Sequence, residues 1–497
     1  MPRTSGILLH ITSLPGPHGI GTLGAEAVNF IKFLRRAGQS WWQILPLGPT
    51  GFGNSPYQSY STFAGNPNLI DLEALVAEGL LKARELEKLN FGKNPGRVDF
   101  PRLERAKQQA LRQAFRRSRW RLNRPLHQFA RREESWLRDY ALFMALKTEF
   151  RGASWQTWPE PLRVREPEAL AAAEKRLKRE IDYWIFVQYL FDRQWAQIRQ
   201  TAAAHGVSII GDVPIYVSTD SADTWASPHL FLLDEARNPQ VVAGCPPDGF
   251  SDTGQLWGNP LYDWKVHAQT GYAWWIERIR RHAALFDKTR IDHFRGFESY
   301  WEIPAGESTA VNGRWVKGPG MKLFEAVETA LGRLDIIAED LGFLTTEVHA
   351  FREASGFPGM KVLQFAFDVR EESDYLTHLY DRHCVVYTGT HDNNTVKGWL
   401  DTVRVPDMLH ACQYLALNRE EGLNWGFIRG AWSSVGNLAV AQMQDFLNLG
   451  EEARMNIPST VGDHNWSWRM FPGSLTEELA DRIYQMTKLY GRVKHHG

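Results

Sequence analysis

Thr289-Arg290-Ile291-Asp292-His293-Phe294-Arg295-Gly296 is a short apolar run that ends on a carboxylate, with an arginine two positions before the acid and a histidine directly after it. Two further stretches have the same form: Asp335-Ile336-Ile337-Ala338-Glu339-Asp340-Leu341-Gly342 and Val385-Val386-Tyr387-Thr388-Gly389-Thr390-His391-Asp392-Asn393. Apolar runs broken by charged residues and glycine read as buried parallel strands with polar residues at their C-terminal ends. In a (β/α)8 barrel that end is where catalysis occurs. The expectation is an α/β fold, a TIM barrel, with three acids at one mouth. Three acids beside an arginine and two histidines suit the cleavage of a glycosidic bond.

Upstream, Gly6 to Ile11 and Trp41 to Leu47 are strand candidates with a helix near Ala25 to Ala37 between them. Strand, helix, strand is the unit of a parallel sheet. A third strand is expected at Ser208 to Val213, and the fourth to seventh at Thr289–Asp292, Asp335–Glu339, Lys361–Phe365 and Cys384–Tyr387. Leu438 to Met443 completes the eight.

Large insertions interrupt the pattern after strands two and three. Residues 51–181 read as mainly helical, with Leu103, Ala106, Ala110, Leu111, Ala114 and Phe115 at helical spacing in Arg102 to Leu122. Residues 216–272 are rich in Gly, Pro, Asp and Trp with little periodicity, a composition of binding loops. The barrel is expected to occupy 1–50, 182–215 and 273–497, and its middle part opens on a buried helix from Tyr183 to Ala204.

Composition narrows the function. At 43% hydrophobic and 23% charged, the 497 residues are those of a globular protein. Fifty-seven basic and fifty-seven acidic residues cancel, which argues against nucleic acid or an anionic membrane as partner. No apolar run approaches the roughly 20 residues that span a bilayer. The first ten residues lack a signal-peptide core, and three cysteines (Cys245, Cys384, Cys412) make no disulfide framework, so a cytoplasmic location is expected. Twenty Trp and fifteen Tyr exceed ordinary packing needs. For any single ring a core role is the better reading, but several lie in Gly/Pro-rich loops, and flat rings stack on sugar C–H faces.

A retaining glycosidase needs one ionised carboxylate and one protonated carboxyl. Arg290 and Asp292 are two apart on a strand and so point to one face, where a guanidinium would hold Asp292 ionised. Glu339 follows Ile336-Ile337-Ala338, and an apolar wall raises a carboxyl's pKa, as an acid requires. Asp392, His293 and His391 can then grip sugar hydroxyls. Such proton and carboxylate steps need no metal or organic cofactor.

These segments resemble glycoside hydrolase family 77, the amylomaltases or 4-α-glucanotransferases, over essentially the whole chain. The likeness extends to Ser55-Pro56-Tyr57-Gln58, Phe63-Ala64-Gly65-Asn66-Pro67 and Gly211-Asp212-Val213-Pro214-Ile215-Tyr216-Val217. It also covers Pro246-Pro247-Asp248-Gly249-Phe250, Thr253-Gly254-Gln255-Leu256-Trp257-Gly258-Asn259-Pro260 and Arg454-Met455-Asn456. The resemblance implies Asp292 as nucleophile, Glu339 as acid/base and Asp392 as transition-state stabiliser. It implies that Arg290, His293 and His391 line the donor subsite with Asp212 in support, and that Tyr57, Gln255, Trp257, Phe365 and Asn456 contact neighbouring glucoses. The implied substrates are α-1,4-glucans and malto-oligosaccharides, with glucose as a further acceptor and cycloamyloses as cyclic products. The segment Pro246–Asn259 would be the lid, with Phe250 stacking on the acceptor.

Two positions depart from the family pattern. Many relatives carry an aromatic residue where this chain has Gly249, which leaves the lid one stacking platform instead of two. Ser459, after Asn456-Ile457-Pro458, stands where glycine is common, and a local loop effect is expected.

Rival readings are a metal-dependent barrel hydrolase using Asp292, His293, His391 and Asp392 as ligands, and a glucan-binding scaffold without catalysis. Arg290 opposes the first, since a fixed cation beside a divalent ion is unfavourable. The presence of all three acids opposes the second. Gly19-Ile20-Gly21-Thr22-Leu23-Gly24 matches a dinucleotide fingerprint only formally, because a Pro- and His-containing loop separates it from a strand.

Overall fold

The computed structural model describes residues 3–118, 122–247, 251–342 and 344–494. Its centre is an eight-stranded parallel barrel: β1 (Thr4–Leu8), β2 (Trp41–Gln43), β3 (Ser208–Pro214), β4 (Lys288–Asp292), β5 (Ile336–Ala338), β6 (Gly359–Val362), β7 (Cys384–Tyr387) and β8 (Leu438–Gln442). The order around the sheet is β6-β7-β8-β1-β2-β3-β4-β5. β1 pairs with β8 from Thr4↔Leu438 to Leu8↔Gln442, so the first and last barrel strands meet in the barrel wall. Between β5 and β6 the ladder is reduced, with the Ala338 N–H donating to Pro358 O at 3.0 Å, and the barrel is nearly closed.

β5, β7 and β8 are buried at every position, as strands covered on both faces must be. Position 211 in β3 has to be glycine: a Cβ there would lie 2.1 Å from the Phe286 ring, which packs directly on the strand beside Asp212.

Several strands are shorter than their apolar runs. β1 ends at Leu8 and a 3-10 turn occupies Ile11–Ser13; β2 ends at Gln43; β6 gives way to a 3-10 turn at Leu363–Ala366. Leu9 and Ile44 extend the ladder by one bond each, to Gln43 O at 3.0 Å and Ile210 O at 2.9 Å, while Leu45 and Leu363 stay buried at the barrel mouth outside it. Apolarity reports burial there rather than pairing.

Residues 51–181 hold the helices Phe100–Ser118, Asn123–Arg132 and Glu134–Glu149, together with two shorter ones near the start. The helix expected from Tyr183 begins sixteen residues earlier: Pro167–Ala204 is one unbroken 38-residue helix, its first half largely solvent-facing and its second buried. Pro167 at its first turn supplies a pre-set φ where no N–H partner is needed.

The stretch 216–272 is more regular than its composition suggests. Val241–Cys245 and Gln255–Pro260 join Ser299–Pro304 and Arg314–Lys317 in a four-stranded antiparallel sheet beside the barrel mouth. The last two strands form an excursion after β4 that the sequence reading left within the barrel. Among the described residues, no helix is long and apolar enough to cross a membrane.

Candidate active site

The C-terminal ends of β3, β4 and β5 lie side by side, and their register sets the site. Asp212 sits opposite Arg290, and Ile291 opposite Ala338, so Asp292 and Glu339 leave adjacent strands at the same level. Arg290 is the hub. Its Nη1 donates to both oxygens of Asp212 at 2.8 and 2.7 Å, and its Nη2 lies 2.9 Å from Asp292 Oδ1. The Tyr57 hydroxyl adds a third hydrogen bond to Asp212 at 2.8 Å. Asp212 and Arg290 are both buried, and the pair of carboxylates holds the guanidinium charged well above its ordinary value. Burial pushes Asp212 itself upward against the pull of Arg290.

Asp292 keeps 29% of its side chain open to the cleft. Arg290 contacts it as the spacing suggested, yet does not decide its protonation alone: burial, with the charge of Asp392, outweighs the guanidinium and raises the carboxyl above the ordinary value. The two-residue spacing revealed the cation and not the desolvation.

Glu339 is pushed up to about 7, first by burial and then by the negative charge of Asp292. Arg290 and two backbone donors pull the other way: the His293 N–H to Oε2 at 2.6 Å and the Leu341 N–H to Oε1 at 2.9 Å. His293 adopts φ 51°, the left-handed region, and this turn aims its N–H at Glu339. Its ring stands edge-on to Trp257 at 4.8 Å and near Tyr216 at 6.3 Å. Burial lowers the imidazole to about 3, so it is neutral, and Nε2 has no hydrogen-bond partner among the described residues.

Asp392 follows β7 and is the most open of the three acids. Asn456 Nδ2 donates to its Oδ1 at 2.7 Å, His391 Nε2 lies 3.3 Å from the same oxygen, and Arg454 donates to its backbone carbonyl. His391 is buried and held neutral by that burial, its ring stacked on Tyr57 at 5.1 Å. Gln255 Oε1 accepts the Trp257 indole N–H at 3.1 Å. Phe365, in the turn after β6, meets Tyr375 edge-on at 5.6 Å.

The structure therefore brings Asp292, Glu339, Asp392, Arg290, Asp212, Tyr57, His293, His391, Asn456, Gln255 and Trp257 into one connected cluster, with Phe365 on the adjoining β6 turn. Phe250 and Gly249 lie outside the described residues. Two rings were not expected in the site. Tyr216 lies beside the Trp257–His293 pair at 6.3 Å from each, and Trp466 lies 5.8 Å from both Tyr57 and His391. Trp466 also has φ 61°, an outlier for so bulky a residue. Among the described residues, no group of three or more His, Cys, Asp or Glu is arranged to hold a metal ion.

Comparison with known proteins agrees with this geometry. A family model described as 4-alpha-glucanotransferase matches residues 9–474. The chain is 49% identical over 504 residues to the 4-alpha-glucanotransferase of Thermus thermophilus, covering 99% of this chain and 100% of that protein. It is 49% identical over 488 residues to that of Clostridium butyricum, covering 98% and 100%. An amylomaltase from Streptococcus agalactiae, solved in complex with acarbose, matches with a TM-score of 0.96 at 41% identity over 99% of each chain. A TIM barrel with this mouth, matched over nearly its whole length, belongs to glycoside hydrolase family 77, the 4-α-glucanotransferases.

Proposed function

We propose that this 4-α-glucanotransferase works by double displacement with retention, using Asp292 as nucleophile and Glu339 as acid/base. In the first half, an Asp292 oxygen attacks C1 of the donor glucose while protonated Glu339 gives its proton to the glycosidic oxygen. The C1–O4 bond breaks, the leaving glucan departs with a new 4-hydroxyl, and the donor remains as a β-glycosyl ester. In the second, Glu339, now a carboxylate, takes the proton of an acceptor 4-hydroxyl, whose oxygen attacks C1 and releases Asp292. Two inversions restore the α bond.

The observation that carries this reading is the division of labour between adjacent carboxyls: Asp292 against a guanidinium at 2.9 Å, Glu339 pushed up to about 7 with the Asp292 charge as a cause. Burial raises both carboxyls, but Asp292 has the guanidinium contact that favours its charged form, which supports Glu339 as the group that carries the proton. Asp392, fixed by Asn456, is placed to stabilise the oxocarbenium-like transition state through the sugar hydroxyls. Neutral His293 and His391 can each donate or accept one hydrogen bond to the donor sugar, and Tyr57 and Trp257 supply ring faces and edges.

The substrates under this reading are α-1,4-glucans and malto-oligosaccharides, with glucose as an acceptor, and long intramolecular transfer gives cycloamyloses. Transfer in place of hydrolysis requires that water be kept from the ester. A cytoplasmic setting is part of the same proposal, supported by the sparse set of three cysteines in 497 residues.

Incubation with maltotriose, with glucose and longer oligomers followed over time, tests the activity. Longer oligomers formed alongside glucose are expected; glucose and maltose alone would mean hydrolysis.

A further inference from the structure

The four-stranded sheet carries an aromatic that the proposed reaction does not use. Trp315, on the edge strand Arg314–Lys317, leaves 42% of its surface open. Its ring is nonetheless fixed. The guanidinium of buried Arg295 lies 4.0 Å over its centroid, and the Trp301 indole meets it edge-on at 5.2 Å. Trp301 is itself anchored through its indole N–H to Ala310 O at 2.8 Å. A ring backed by a cation on one face and wedged at one edge loses little entropy when a ligand covers the other face.

Arg295 ties Trp315 to the mouth of the catalytic site. Cross-strand register places Leu256, Gly244, Trp301 and Trp315 in one row on one face of the sheet. The row starts on the strand that carries Gln255 and Trp257, whose side chains point to the opposite face of that strand, and Leu256 and Trp315 are exposed at its two ends. Arg295 follows Asp292 by three residues, and it is close enough to Glu339 for their charges to interact. The open ring therefore lies outward from the Glu339 side of the site.

The rim indicates the occupant. Arg314 pairs with Glu302 at 2.6 Å and Lys317 with Glu298, and both cations are largely exposed. The centre of a protein–protein interface is depleted of charge. An aromatic face bordered by charged hydrogen-bonding groups fits a polyhydroxylated ligand, whose C–H face stacks while its hydroxyls reach the rim.

We propose that Trp315 is a stacking platform for an α-1,4-glucan chain, binding acceptor-side sugars beyond those at Gln255 and Trp257. The assignment to the acceptor side rests on the role proposed for Glu339.

The test measures calorimetric binding of maltoheptaose and of maltotriose to full-length protein carrying Glu339→Gln, alone and combined with Trp315→Ala or Trp315→Phe. Trp315→Ala should weaken maltoheptaose binding about tenfold, the effect of losing one well-packed aromatic contact. Maltotriose binding should change less than twofold, and Trp315→Phe should restore most of the loss. Equal losses for both sugars, or none for maltoheptaose, would overturn the proposal. A change in oligomeric state on Trp315→Ala, seen by light scattering, would also overturn it by assigning the face to a second copy. Binding is read here without turnover, so failure of the otherwise unaltered enzyme to transfer maltosyl units would count against the proposed function and leave this result to be judged on its own.

Discussion

The backbone N–H of His293 donates to Glu339 Oε2 at 2.6 Å because His293 holds a left-handed φ of 51°. A residue with a Cβ pays roughly 1 kcal/mol for that conformation. The turn delivers an amide to Glu339 and, under the proposed mechanism, a neutral ring to the donor sugar. His293→Gly should therefore be more stable than His293→Ala by about 1 kcal/mol, although both lose the ring and both fall in kcat/KM. Thermal unfolding of the two variants checks the order.

The same strain argument applies at Ser459, whose φ is 61°. The position where the family resemblance led to an expected glycine is one where the backbone is left-handed. Ser459→Gly should stabilise the protein by a few tenths to about 1 kcal/mol with maltotriose disproportionation unchanged within twofold. A loss of stability would show that the serine side chain contributes more than its backbone costs.

Glu339 has to be protonated in the first half-reaction, and its carboxyl sits at about 7. The rate under kcat/KM conditions should fall as pH rises through that value. Because the Asp292 charge helps to raise Glu339, Asp292→Asn should move the Glu339 titration downward, which carboxyl-resolved NMR on the variant would detect. No movement would mean that the two groups do not sense each other.

The raised Glu339 carboxyl also opposes folding at high pH. A carboxyl whose folded pKa exceeds the unfolded one favours the folded state at low pH, and that contribution is lost as pH rises from about 4.5 through about 7. Glu339→Gln should therefore be stabilising at pH 8, by on the order of 3 kcal/mol, and much less so at pH 5. Denaturant unfolding at the two pH values measures the difference.

Tyr57 gives Asp212 its third hydrogen bond at 2.8 Å. Tyr57→Phe keeps the stack on His391 and removes only that bond, so kcat/KM should fall about tenfold, the scale of one hydrogen bond to a charged group, with unfolding little changed. Collapse of the fold would instead make Tyr57 a structural residue.

Much of this site was legible in the sequence because strand period and apolar runs place Arg290 with Asp292 and put Glu339 behind Ile336-Ile337-Ala338. What pattern could not supply was three-dimensional environment. Desolvation of Asp292 depends on how the cleft closes around it, and nothing in the spacing reports that. Trp466 reaches the site through a left-handed residue, a backbone state that the local sequence does not announce. The antiparallel sheet escaped for another reason: Ser299-Tyr300-Trp301-Glu302-Ile303-Pro304 does alternate, but it follows a barrel strand so closely that it read as part of the barrel's own connection. Strand ends were overestimated wherever buried residues such as Leu45 and Leu363 continue beyond the ladder.

The claim on which the account depends is that Asp292 forms the covalent bond to the donor. Reaction of the Glu339→Gln protein with an α-glucosyl fluoride, whose fluoride leaves without acid assistance, should accumulate the ester. Peptide mass spectrometry after rapid acid quench then locates it. The account predicts one added glycosyl mass on the peptide containing Asp292, absent in Asp292→Asn. A glycosyl group on the peptide of Asp392 or any other residue, or turnover with no covalent adduct at all, would contradict it.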